Sequence, residues 1–291
     1  ATTIVYAGSP YCSSSGTAAV TRTGTAGGTY SSTAGLTVNS STGAVTLGTS
    51  TAGTYTVTYT IAAGGGCAQF QTTASIAVTA APTATISYTG SPYCSNEGTA
   101  AVTRTGTTGG TYSSTAGLSL NTTTGAVALG TSAAGTYTVT YTITAGGGCA
   151  QFQTTASITV TGAASATISY PGSPYCSDEG TVAVNQTGTV GGTYSSTAGL
   201  SLNTTTGAVS LGTSTAGTYT VTYTIAANGG CTQFQTTATI TLSSAASATI
   251  GYAGSPYCSN EGTATVALTG TTGGVYSSTA GLSLNSGTGA V

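Results

Sequence analysis

Along most of the chain, apolar and polar residues alternate one for one. In Thr136–Thr144 the apolar positions Tyr137, Val139, Tyr141 and Ile143 are separated by threonines. Alternation with period two puts successive side chains on opposite faces of an extended strand. The same reading of this stretch predicts strands over Ala84–Tyr88, over Gly98–Gly106 with Ala100, Val102 and Arg104 on one face, and over Thr111–Ser114. Leu118–Asn121 and Ala126–Leu129 are expected to pair across Thr124-Gly125, and Gln151–Val160 forms the last strand with Phe152, Ile158 and Val160 inward. No segment carries a 3.6-residue apolar period, and threonine and β-branched residues disfavour helix.

The pattern restarts every 82 residues. Cys12, Cys94, Cys176 and Cys258 stand at that spacing, as do Cys67, Cys149 and Cys231, and Gly-Ser-Pro-Tyr-Cys recurs from Gly8, Gly90, Gly172 and Gly254. Solenoid units run to about 20–50 residues, so this period suits a small autonomous domain repeated in tandem. Seven short strands with glycine turns in each unit predict an all-β chain of antiparallel β-sandwiches. The expected domains are residues 1–82, 83–164 and 165–246, with residues 247–291 the first half of a fourth. Val291 falls at the mid-repeat position of Val127 and Val209, so the sequence reads as a window on a longer chain. The short links between units, such as Thr161–Ser165, predict end-to-end stacking as a rod or filament, with each unit adding on the order of 40 Å.

Only six of 291 residues are formally charged: Arg22, Arg104, Glu97, Asp178, Glu179 and Glu261. Two arginines cannot track a phosphate backbone, which excludes nucleic acid as a partner. Apolar runs are interrupted by threonine, serine or glycine well before about 18 residues, so membrane insertion is not expected.

Gly117-Leu118-Ser119-Leu120-Asn121, Thr124-Gly125-Ala126-Val127 and Ala134-Gly135-Thr136-Tyr137-Thr138-Val139 together resemble the bacterial immunoglobulin-like and cadherin-like surface repeats. With its Tyr-Cys corner and its Gly-Gly-Cys before the last strand, the whole unit is similar to tandem repeats of giant secreted adhesins of Bacteroidota, the gliding-motility adhesins among them. The resemblance covers the full chain and implies immunoglobulin-like sandwiches on an extracellular bacterial surface.

Two cysteines per unit, with no histidine and no Cys-x-x-Cys, read as disulfides rather than metal ligands, and so as a chain outside the reducing cytoplasm. Two connectivities compete. Cys94 lies between the first two strands and Cys149 in the loop between the last two. In an immunoglobulin-like Greek key those corners sit at opposite ends of the sandwich. That geometry favours pairing between neighbouring units, Cys12–Cys149 and Cys94–Cys231. Pairing within units, Cys12–Cys67, Cys94–Cys149 and Cys176–Cys231, is the alternative. Lengthening the closed loop from 55 to 137 residues costs only about 0.8 kcal/mol, so entropy does not decide.

Candidate chemistry is sparse. Serine, threonine and cysteine have no histidine or lysine to activate them, so no catalytic residue is expected. Gly146-Gly147-Gly148 lacks the Lys-Ser/Thr of a phosphate cradle and reads as a hairpin loop. Asp178-Glu179 reads as a solvated loop, one acid per junction being too few for calcium, and no metal or cofactor is expected. Arg22 and Arg104 share a position occupied by Gln186 and Leu268 in the later units, which suggests surface decoration. Asn39, Asn121, Asn185 and Asn203 head glycosylation triplets. The threonine row Thr136, Thr138, Thr140 and Thr142 reads as strand surface, and Tyr93 is a candidate for stacking on sugars.

The expected role is a structural stalk of an extracellular surface filament or adhesin, its units giving reach and tensile strength and contacting adjacent repeats of the same chain. The competing role is a multivalent binding module in which every unit contacts glycans or neighbouring filament chains by avidity.

Overall fold

The computed structural model describes residues 1–291. It resolves into two compact units, one of Ala1–Ala163 with Asn228–Cys231, the other of Ala164–Ala227 with Thr232–Val291.

The first unit contains two copies of one sandwich. In the second copy, Gly135–Ile143 and Phe152–Thr161 form a nine-pair antiparallel hairpin from Gly135 opposite Val160 to Ile143 opposite Phe152. Thr111–Ser114 extends the sheet beside Gly135–Ile143, and the two-residue strand Tyr93–Cys94 runs parallel to the far end of Phe152–Thr161. The opposing layer pairs Ala84–Ser87 with Thr103–Gly106 and Thr99–Ala100 with Val127–Ala128. The first segment of the copy thus serves both layers: Ala84–Ser87 belongs to one and Tyr93–Cys94 to the other, with the cis Ser91-Pro92 peptide between them. The first copy repeats this arrangement with Tyr11–Cys12, Phe70–Thr79, Gly53–Ile61 and Thr29–Ser32. This is the immunoglobulin-like sandwich topology.

In the second unit, Tyr175–Cys176, Phe234–Ser243, Gly217–Ile225 and Thr193–Ser196 form the equivalent four-stranded sheet. Residues beyond it contribute the pair Ala248–Gly251 and Ala267–Gly270.

Alternation dictates what is inside. Tyr137, Val139 and Tyr141 are buried, whereas Thr136 and Thr138 between them are exposed. Val139, Ile158, Val127 and Leu129 have no solvent contact; fully burying such a side chain stabilises by roughly 1.5–3 kcal/mol. The three core clusters each draw on one 82-residue copy.

The structure departs from the expected strands in three places. Gly98–Gly106 is broken into Thr99–Ala100 and Thr103–Gly106, which bond to different partners. Leu118–Asn121 contributes only a single bridge, Leu120 to Val127. The Asn121 Oδ1 accepts from the Thr123 and Thr124 amides, bending the chain into a turn. Beyond Val127–Ala128, Leu129–Thr131 is a 3-10 turn rather than strand. Its buried leucine plugs the core, and Ser132 Oγ donates 2.7 Å to the Ala128 carbonyl.

Candidate functional site

The residues that the fold gathers for a purpose other than core packing lie where a hairpin tip of one copy meets the Pro-Tyr-Cys corner of the copy before it. The receiving corner is built first. Tyr11–Cys12 lies parallel to Val78 and Thr79, and the Ser9 and Ser13 hydroxyls accept 2.9 Å bonds from the Ala77 and Ala81 amides. Tyr11 folds back so that its hydroxyl accepts from the Gly8 amide at 3.0 Å. A serine on each side of the Pro-Tyr-Cys segment therefore pins it against the end of the last strand and the start of the link that follows.

The inserted tip is Gly146–Cys149, closed by reciprocal backbone bonds between Gly146 and Cys149 of 3.0 and 2.9 Å. Gly147 and Gly148 have φ of +58° and +79°, a left-handed path open to glycine. Space demands glycine as well. A Cβ on Gly148 would lie 2.1 Å from the Pro10 carbonyl oxygen, and one on Gly147 would lie 2.6 Å from Thr79 Oγ1. Backbone therefore seats directly on backbone, bringing the Cα atoms of Cys12 and Cys149 to 4.6 Å with a disulfide between them. Both cysteines are buried. Cys149 Sγ also lies 3.7 Å from the Ala80 carbonyl; a disulfide sulfur has no proton to donate, so this is packing.

The same joint recurs with Asn228–Cys231. Cys231 is disulfide-bonded to Cys94 at a Cα separation of 4.7 Å. A Cβ on Gly230 would lie 2.2 Å from the Pro92 carbonyl oxygen, and one on Gly229 would lie 2.3 Å from Thr161 Oγ1. Both disulfides span 137 residues. The pairs Cys12–Cys67, Cys94–Cys149 and Cys176–Cys231 are not formed. Within a copy, the corner cysteine sits beside the C-terminal end of a ten-residue strand, and the tip cysteine precedes its N-terminal end. Cys67, Cys176 and Cys258 are unpaired. Consistent with this, a Cβ on Gly65 or Gly66 of the first tip meets nothing within 4 Å. At Cys176, a hydrogen bond to the Asp178 carboxylate pushes the thiol above its ordinary range.

The other residues singled out from the sequence fall elsewhere. Glu97 and Glu261 are not merely solvated: each carboxylate accepts from the backbone amide of the cysteine three residues before it, Cys94 at 3.2 Å and Cys258 at 3.0 Å. Tyr93 is folded onto Gly90, its hydroxyl taken by that amide at 3.0 Å. Asn39, Asn121 and Asn203 use Oδ1 to accept two turn amides apiece, while Asn185 lies exposed on a strand. The threonine row faces outward, and Thr136 Oγ1 lies 2.9 Å from Thr159 Oγ1.

Two features were missed in the sequence. Tyr55, Tyr137 and Tyr219 each donate to a carbonyl four residues upstream, a tyrosine corner of the immunoglobulin-like kind; its signal was a tyrosine two residues inside the strand. Arg22 and Arg104 are also more than decoration, their guanidinium carbons standing 5.7 and 5.5 Å from the ring centres of Tyr59 and Tyr141.

No family model matches the sequence, and no curated protein is similar to it. Among solved structures, it is similar to mouse cadherin-23 EC22–24 at 12% identity, over 79% of this chain and 92% of that one, with a TM-score of 0.33. Titin domains I67–I69 match at 11% identity over 78% and 91%, TM-score 0.35. Sidekick-1 immunoglobulin domains 1–5 match at 12% over 92% and 63%, TM-score 0.32. The sheets themselves define the class: an all-β array of tandem immunoglobulin-like sandwiches. Its distinguishing feature is the disulfide staple joining the corner of one copy to the hairpin tip of the next.

Proposed function

We propose that this chain is a load-bearing spacer of an extracellular bacterial surface filament or giant adhesin, of the kind that the resemblance to secreted Bacteroidota adhesins implies. The observation that carries this reading is the pair of staples, Cys12–Cys149 and Cys94–Cys231, which interlock along the chain. Structural disulfides persist outside the reducing cytoplasm. Scarce charge and the absence of lysine leave few sites for trypsin-like proteases, as suits an exposed filament.

The staples change how tension travels. A force applied at the two ends reaches Cys12 and then divides. One route crosses to Cys149 and follows the backbone to Cys231; the other follows the backbone to Cys94 and crosses to Cys231. Either route contains 82 residues, against 219 along the unstapled backbone from Cys12 to Cys231. The links from the first copy to the second and from the second to the third are thereby doubled covalently, and unravelling of the stapled copies is capped.

Single-molecule pulling tests this. At ~3.5 Å per residue the stapled chain should reach a final contour of about 540 Å, and after reductant about 1000 Å. Equal contours in both states overturn the load-bearing role.

A further inference from the structure

We infer that Arg104 and Tyr112, with their equivalents Arg22 and Tyr30, form a binding site for the carboxylate of an acidic saccharide, a function separate from the spacer role. The second copy has a hollow of about 460 Å³ walled by Arg104, Tyr112, Tyr141, Gly110, Thr123 and Thr124, within the ~300–1,000 Å³ usual for small-molecule sites. Its charged group is held ready. Arg104 Nη1 donates to the Gly106 and Thr107 carbonyls at 3.5 and 3.1 Å, and the guanidinium lies over Tyr141. Tyr141 is itself fixed, its hydroxyl accepting from the Gly110 amide at 2.8 Å and donating to the Thr107 carbonyl at 3.2 Å. The other guanidinium N–H groups have no acceptor in the protein, and no carboxylate stands near to neutralise them: the acid of this copy, Glu97, is engaged at the Cys94 amide.

Tyr112 supplies the second observation. Its ring packs at 4.7 Å on Tyr141, yet its hydroxyl has no hydrogen-bond partner. No buried side-chain polar atom is left unsatisfied anywhere in the chain, so this hydroxyl opens to the hollow. The third copy shows the same position closed. Gln186 replaces the arginine, accepts from the Tyr194 hydroxyl at 2.8 Å and donates to the Thr189 carbonyl at 3.0 Å. One side chain there consumes both the phenol and the loop carbonyl, and carries no charge.

One cation with an open N–H edge, a free phenol and threonine hydroxyls, walled by aromatic edges, match a hydroxyl-rich ligand bearing one negative charge. A guanidinium recognises a carboxylate through parallel N–H bonds, and two such sites on one chain suit a polymer of repeating acidic sugars through avidity.

The test uses the 291-residue protein with a glucuronate trisaccharide, the corresponding neutral glucose trisaccharide and inorganic sulfate, followed by calorimetry and by amide shifts of Gly110 and Tyr112. The acidic trisaccharide should bind at two sites. The double variant Arg22→Gln/Arg104→Gln should bind at least about tenfold more weakly, and Gln186→Arg should add a third site. Both changes exchange residues already borne at this position in a folded copy, so folding is preserved, as circular dichroism will show. Absence of binding, equal binding of the neutral sugar, sulfate binding as tightly as the trisaccharide, or an unaffected double variant each overturns the site.

Discussion

The hydroxyl of Tyr137 donates a 2.7 Å hydrogen bond to the carbonyl of Ala133, four residues earlier in the chain. The bond ties the turn that leads into Gly135–Ile143 to the first inward side chain of that strand. Gly117 packs over the same ring, where a Cβ would come 2.9 Å from the Tyr137 oxygen. Tyr55 and Tyr219 make the equivalent bonds. Replacing all three by phenylalanine keeps the buried rings and removes these bonds, together with the 2.6 Å bond between the Tyr219 and Thr215 hydroxyls. Each copy should lose about 0.5–1.5 kcal/mol, seen as an earlier urea midpoint with an unchanged slope.

Tyr6, Tyr88 and Tyr170 give the chain an alkaline limit. Burial, reinforced by neighbouring tyrosines, pushes each of them up to about 12. Tyr88 and Tyr170 donate 2.6 Å bonds to the Gly125 and Gly207 carbonyls. A folded value above the unfolded value of about 10 means that the protonated phenol favours the fold. The contribution is complete below about pH 10 and disappears as pH rises to about 12. A tyrosinate absorbance titration should therefore show a late fraction that appears together with loss of the β circular-dichroism signal. In the triple phenylalanine variant at these positions the late fraction should shrink, leaving Tyr194, which burial also raises.

The joint can be opened without touching sulfur. Gly66 and Gly148 have nearly the same left-handed backbone, φ +84° and +79°. An added Cβ meets nothing at Gly66 but lies 2.1 Å from the Pro10 carbonyl oxygen at Gly148. Gly66→Ala measures conformational strain alone; Gly148→Ala adds the clash. In a thiol assay under denaturing, non-reducing conditions, Gly66→Ala should retain the three free thiols of the parent protein. Gly148→Ala should expose two more, identified by peptide mapping as Cys12 and Cys149.

The strands were the legible part of the fold because a half-buried strand writes its geometry directly into alternation. Gly135–Ile143 is one residue offset from the expected span, with Tyr137, Val139 and Tyr141 inside as read. What alternation cannot mark is a change of partner. Thr99–Ala100 and Thr103–Gly106 lie in one unbroken alternating run, yet pair with strands far apart in sequence. Likewise Leu129 continues the apolar pattern while its backbone leaves the strand, and the turn is fixed by bonds that alternation does not mark, from the Ser132 hydroxyl to the Ala128 carbonyl and from the Ser132 amide to the Leu129 carbonyl. The arginines illustrate a different limit. Their loss in later copies argued against a role shared by every copy, but a site confined to two copies becomes visible only when the guanidinium is seen over Tyr141 beside an unpaired phenol.

The unpaired thiols should differ in reactivity. Cys67 and Cys258 are exposed, whereas Cys176 is half-buried and lies beside Asp178. The carboxylate accepts from the thiol and so stabilises the protonated form, and the thiolate is the species that attacks an alkylating reagent. Asparagine at position 178 removes the charge and weakens that bond, shifting Cys176 toward thiolate at a given pH. Timed iodoacetamide labelling at mildly alkaline pH, with mass-spectrometric counting at each cysteine, should show Cys176 labelled last in the parent protein. Asp178→Asn should accelerate Cys176 several-fold and leave Cys67 unchanged, since Cys67 lies in a different copy with no acid beside it in sequence. Equal acceleration at both cysteines would point to general loosening of the protein rather than to the Asp178 carboxylate.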